Sequence, residues 1–303
     1  MKIRFTLITL FFAAFASAQT PRDTLVSTIY NTYVQNESEY TALKKDIQAL
    51  KDMDGSYNPE VLHHNLEAMF QYKDLDFFQS SLELLVLHNG YNVSYLSGQE
   101  NYYQAIISGE LAPWFKKMYI ENHPKWLAHN LDKLVDIHTL NSLHQRDQIM
   151  TKALMDVYNS SEIDEKQREL IRRLFRFNFM ENAKTLLNIS ESIGSMPTAN
   201  SFALIQRPYD LIEMHNFQQN FTTFFEMIYP YYKASYLKQD LPIIKFRNID
   251  SIKFLADKNQ VFGLLSVEDI PPYLKEEYNV QSIELANPTL TEKYRKELNW
   301  TEL

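Results

Sequence analysis

Residues 125–158 read KWLAHNLDKLVDIHTLNSLHQRDQIMTKALMDVY. Leu127, Leu131, Leu134, Ile137, Leu140, Leu143, Met150, Leu154 and Val157 recur here at spacings that keep one face of an α-helix. A stretch this long with one apolar stripe predicts a long helix over about 125–158 and sets the class as mainly α. On the N-terminal side, His123-Pro124 breaks the pattern, because proline removes a helical donor and restricts the residue before it. Upstream, Leu25, Ile29, Tyr33, Tyr40, Leu43, Ile47 and Leu50 predict one helix over 22–53. Further helices follow at 59–72 after Asn58-Pro59, at 75–88 up to Asn89-Gly90, at 99–108 and at 111–121.

Downstream, Asp164 opens a helix over 164–192 that ends at Gly194-Ser195-Met196-Pro197. Two aromatic helices are predicted at 200–217 and 219–238, the second kinked or broken by Pro230. Ile252-Lys253-Phe254-Leu255, a polar Asp257-Lys258-Asn259, then Val261 to Leu265 read as a short β-hairpin, with strand confined to about 250–268. A last helix covers 289–298 after Asn287-Pro288. The division suggested is a leader at 1–18, a repeat-like helical region at 19–124 and a helical C-terminal domain at 125–303. Helix pairs in the first third suggest a solenoid-like array of helical hairpins, without a strict 34-residue period.

Composition narrows the function classes. Only 6 of 303 residues are glycine, too few for the clustered glycines of Rossmann or P-loop phosphate sites. A net charge of −8 without a long basic run is a poor match to nucleic acid or an anionic membrane. The most basic stretch, with Arg168, Arg172, Arg173 and Arg176, is interleaved with Glu162, Asp164, Glu165 and Glu169, as on a solvated helix face. The absence of cysteine excludes disulfides, thiolate metal sites and a cysteine nucleophile.

The N-terminus points to export. Lys2 and Arg4 precede an apolar run from Phe5 to Phe15, and Ala16-Ser17-Ala18 is an A-x-A cleavage pattern. Mature protein is expected to begin at Gln19, with no membrane span. An exported protein of this size without cysteine fits a bacterial periplasm or extracellular space.

Chemistry-bearing residues are sparse. His123, His129, His138 and His144 are spaced six, nine and six apart, which does not stack ligands on one helix face. His144 and Asp147 stand at i,i+3, compatible with a shared metal or with a surface histidine beside an acid. No G-x-S-x-G marks a hydrolase nucleophile. Asp46 with Asp52, and Glu276 with Glu277, read as acidic surface. The sequence implies no metal and no cofactor. The aromatic stripe from Phe217 to Tyr236 reads as core packing or as a groove for an apolar, peptide or glycan partner, with Tyr229, Tyr231 and Tyr232 at the proline break as a candidate binding surface.

Tyr72-Lys73-Asp74-Leu75-Asp76-Phe77-Phe78, followed by Leu85 to Tyr91, resembles a degenerate tetratricopeptide-like unit. The pieces Asp147-Gln148, Gly194-Ser195-Met196-Pro197-Thr198, His215, Lys258 to Gly263 and Arg295 resemble an uncharacterised family of secreted bacterial helical domains that trails such repeats. The likeness covers about 60–303. It lacks the arginine expected shortly after Gln148 and the glycine expected after Arg295. The resemblance carries no known activity. It groups Asp147, Gln148, His215, Gln260 and Arg295 as a candidate polar site, with His215 expected to be semi-buried near Asp147 and Gln260. The function expected is an exported helical binding or scaffold protein for a protein, peptide or glycan. The alternative is an enzyme built on that polar site.

Overall fold

Helix starts follow their caps. Asn36 accepts from the Glu39 amide, Asn58 from the amides of Glu60 and Val61, Asp164 from that of Gln167 and Asn287 from that of Leu290. The computed structural model describes residues 20–93, 96–203, 205 and 209–300. The expected leader at 1–18 lies outside the described residues. In chain order the helices are α1 (Pro21–Asn31), α2 (Glu37–Asp54), α3 (Pro59–His64), α4 (Leu66–Gln71), α5 (Leu75–Asn89), α6 (Tyr103–Ile107) and α7 (Ala112–His129). They continue as α8 (Leu134–Tyr158), α9 (Glu165–Ile193), α10 (Asp210–Gln219), α11 (Phe221–Leu237), α12 (Ile244–Asp257), α13 (Pro272–Tyr278) and α14 (Pro288–Glu297). The fold is mainly α. Its one sheet among the described residues pairs β1 (Asn259–Gln260) with β2 (Glu284–Leu285) in parallel. None of the described helices is long and apolar enough to cross a membrane.

Contacts divide the chain into two units, Val34–Leu241 and Met1–Tyr33 with Pro242–Leu303. In the larger unit α5 packs on α3, α4 and α7, and α9 packs on α8, α10 and α11. Gly90 ends α5 at φ 65°, and an added Cβ there would stand 2.4 Å from the Trp126 ring. That close approach requires glycine. Trp126 in turn donates from Nε1 to the Ala203 carbonyl at 3.0 Å, and Asn89 donates to the Ala199 carbonyl at 2.9 Å. These bonds tie the irregular 195–203 segment to α5 and α7.

Several helix boundaries differ from the sequence expectation, among them that of the helix expected over 200–217, which begins at Asp210. The helix expected over 22–53 is two, because Asn36 starts a capped helix at Glu37. The one expected over 59–72 divides at Asn65. Conversely, α7 continues through Pro124 although an interior proline costs about 3 kcal/mol. Phe115, Met118, Asn122 and Trp126 form its buried stripe and hold the helix on α5 across the proline. The long helix then begins at Leu134, after a 3-10 turn at Leu131–Lys133. Likewise, α11 runs through Pro230.

The predicted hairpin is absent. Residues 244–257 are α12, and the strand that pairs with 259–260 comes from 284–285, outside the expected 250–268 window. The helical stripe of α12 is Phe246, Ile249, Asp250 and Phe254, all buried. A buried acid interrupts its apolar period and left only the apolar pieces visible in sequence.

Candidate functional site

In the larger unit, Asp147 on α8 is 0% exposed and His215 on α10 is 4% exposed. His215 Nδ1 stands 2.9 Å from Asp147 Oδ2, within ion-pair distance but off the line of a straight N–H···O bond. Asn182 on α9, also fully buried, donates from Nδ2 to Asp147 Oδ1 at 3.0 Å. Its Oδ1 accepts from Nε of Arg146 at 3.0 Å and from the same guanidinium's Nη2. The Phe179 ring lies over the imidazole at 4.4 Å between centroids. The next residue, Asn216, donates to the carbonyls of Phe179 and Ile212 at 2.8 and 2.9 Å. Three helices thus meet around a polar line, Arg146–Asn182–Asp147–His215, running from the surface of α8 inward. The bonds along it satisfy the Asn182 amide and Asp147 Oδ1, groups that would otherwise each lose about 1–3 kcal/mol, while Asp147 Oδ2 and His215 Nδ1 face each other at ion-pair distance.

Gln148, the neighbour of Asp147, points outward and is exposed. The aromatic stripe packs inward. Of the candidate surface, Tyr229 and Tyr232 are buried and Tyr231 is half-buried. Burial, then the neighbouring Glu213 carboxylate, push the Tyr232 phenol far above its ordinary pKa.

Gln260 and Arg295 belong to the smaller unit, where they pin the loop after α12. Gln260 Nε2 donates to the carbonyls of Leu265 and Ile283, both at 3.1 Å, and its Oε1 accepts from the Leu265 amide at 2.8 Å. Arg295 on α14 donates to the Phe262 carbonyl at 3.1 Å, and Thr291 donates to that of Val261 at 2.6 Å. Asp250 completes the arrangement. Its carboxylate accepts from the amides of Val261, Phe262 and Leu264 at 2.7, 2.8 and 2.9 Å. Burial pushes the Asp250 carboxyl up to about 6, against those three bonds and the Arg295 charge. These side chains close on backbone groups of their own unit, which is the geometry of a loop clamp.

Sequence reasoning missed Asn182, Asp250 and one surface. Asn182 and Asp250 occupy apolar-stripe positions, a readable signal once the helices are placed. The surface is the far end of the α8–α9 pair. Ile149 (68% exposed), Met150 and Val157 on α8 and Leu170, Leu174 and Phe177 (66%) on α9 all face solvent. Among the described residues no group of three His, Asp or Glu side chains gathers to hold a metal. No family model, curated protein or solved structure matches the chain.

Proposed function

We propose that this is an exported helical binding or scaffold protein whose contact surface is the far end of the α8–α9 hairpin. The observation that carries the reading is the set of five large apolar side chains, Met150, Val157, Leu170, Leu174 and Phe177, on one flank of two adjacent helices, all exposed. Single exposed apolar residues are ordinary, whereas contiguous apolar surface marks interaction sites. The export part rests on Lys2, Arg4, the apolar run and Ala16-Ser17-Ala18. Gln260, Arg295 and Asp250 support the same reading from the other side, since backbone groups take up the bonds a substrate would need.

The experiment compares immobilised protein with its Leu174→Glu variant against periplasmic and extracellular bacterial fractions. A partner retained by the first and lost by the second, at unchanged melting temperature, is the expected result. Equal retention by both would overturn the assignment of the surface.

The Asp147–His215 pair favours a second reading. A buried aspartate beside an imidazole is also how enzymes orient a general base. On that reading His215→Gln abolishes turnover of a substrate while leaving the fold intact. On the binding reading it leaves partner retention unchanged.

A further inference from the structure

We infer that the occupant of this surface is a second copy of the chain, packed two-fold symmetrically so that two α8–α9 hairpins form a four-helix bundle. The inference rests on the reading of the hairpin end as a contact surface and names its partner.

The register of the hairpin comes from its own bonds. Asp147 meets Asn182 at one level, and at the other end Arg168 donates to the Tyr158 carbonyl while Arg172 donates to the Tyr158 hydroxyl. Between these levels Met150 stands across from Phe177, Ala153 from Leu174 and Val157 from Leu170. One turn toward the bundle, Arg146 stands across from Glu181.

The two stripes share one side of the hairpin. On α8 the line facing α9 is Asp147, Leu154 and Tyr158; at about 100° per residue, Met150, Ala153 and Val157 lie roughly a quarter turn to one flank. On α9 the line facing α8 is Ile171, Phe175 and Asn182, and Leu170, Leu174 and Phe177 fall to the flank on that same side, because the antiparallel direction reverses the sense of rotation. Of the face residues named, Met150, Val157, Leu170, Leu174 and Phe177 are exposed, as is Ala153, whereas Ile149, about 200° from Asp147, lies on the side of α8 away from α9.

That side is self-complementary. A two-fold axis parallel to the hairpin lays α8 of one copy antiparallel on α9 of the other, in unchanged register. Met150 then meets Phe177 of the second copy, Val157 meets Leu170 of the second copy, and the small Ala153 leaves room for Leu174 of the second copy. The Arg146 guanidinium meets Glu181 of the second copy. Every contact occurs twice, as an isologous interface requires. Within one chain Glu181 holds Lys184 at 2.5 Å at the surface, and among the described residues Arg146 bonds Asn182 through its Nε and one terminal nitrogen. Both groups keep capacity for the cross-copy pair. Opposite charges at one level of the two helices are what a symmetric partner needs and what a chance apolar patch lacks.

The face is small. Eleven residues of helix at 1.5 Å rise, two helices wide, give a footprint of roughly 300–400 Å². A standard interface buries about 800 Å² per partner, so the association is weak and concentration-dependent.

Sedimentation velocity on the mature chain between about 1 and 300 µM tests this, with the concentrations set by that expected weakness. The mass should rise from one chain toward two. Leu174→Glu should remain a single chain throughout, with its circular-dichroism melt unchanged at low concentration. Glu181→Arg should weaken association at least tenfold by facing Arg146 of the second copy, and the double change R146E/E181R should restore it. Because Arg146 also bonds Asn182, Ala153→Glu gives a second disruption that leaves that bond intact. A wild-type chain that stays single at 300 µM, or a Leu174→Glu variant that still doubles, overturns the proposal. If the chain stays single yet retains a foreign partner that Leu174→Glu loses, the self-association falls and the contact surface stands.

Discussion

The near and far halves of the α8–α9 pair are the same two helices with opposite burial rules. In the near half the buried positions include Asp147 and Asn182. In the far half the exposed positions include Val157, Leu170 and Leu174. Side-chain polarity therefore does not decide which half is covered. Coverage comes from α10 and α11, which pack on α9. Asn216 and Asn220 mark where that cover stops, bonding to α9 at Phe179 and Arg176. Beyond Arg176 the two helices have mainly each other. The near half tolerates polar groups because Asn182 bonds Asp147 and Arg146, and His215 stands at ion-pair distance from Asp147. The far half keeps apolar groups in water, which calls for a reason outside the single chain.

Replacing Asp147 by alanine is the severest way to break this contrast. It strands the Asn182 amide and the His215 ring inside three helices, and should cost about 3 kcal/mol of unfolding free energy, read from denaturant midpoints. A loss below about 0.5 kcal/mol would mean the near half is not organised by its polar line.

The smaller unit supplies an independent buried acid of similar weight. The Asp250 carboxyl, raised to about 6, binds its proton more tightly folded than unfolded. Its contribution is therefore fully present below about pH 4 and lost as pH rises through about 6, an effect of about 3 kcal/mol. The stability advantage of the wild type over Asp250→Asn should widen as pH falls from 7 to 4. A constant difference would show that the three amide bonds cancel the effect of burial, and a narrowing one that they outweigh it.

His215→Gln sharpens the comparison on a smaller scale. An amide can still face Asp147, but the 4.4 Å ring contact with Phe179 is lost, and a loss of about 1 kcal/mol is expected from thermal melts. In the far half, Leu170→Ser and Phe177→Ser should move low-concentration stability by less than about 0.5 kcal/mol. A loss of 2 kcal/mol or more would show that the far half is core after all.

Most helices were legible in the sequence because their stripes are apolar and their caps local. Helix α9 was read within a residue of its ends, from Asp164 and Gly194. Legibility failed where a buried position is polar, as at Asp250, whose helix was read as half of a hairpin. It failed again where packing outweighed a local breaker, as at Pro124. Of the candidate polar residues, the structure brings His215 to Asp147, while Gln260 and Arg295 take up backbone bonds in the smaller unit.

The sequence by itself determined a cysteine-free, acidic, mainly α chain, because composition and helical period are local properties. Only the tertiary structure decided which stripes are covered. Burial depends on what another helix does some thirty or more residues away, so Asp147 and Asn182 became interior while Ile149 and Phe177 stayed in water.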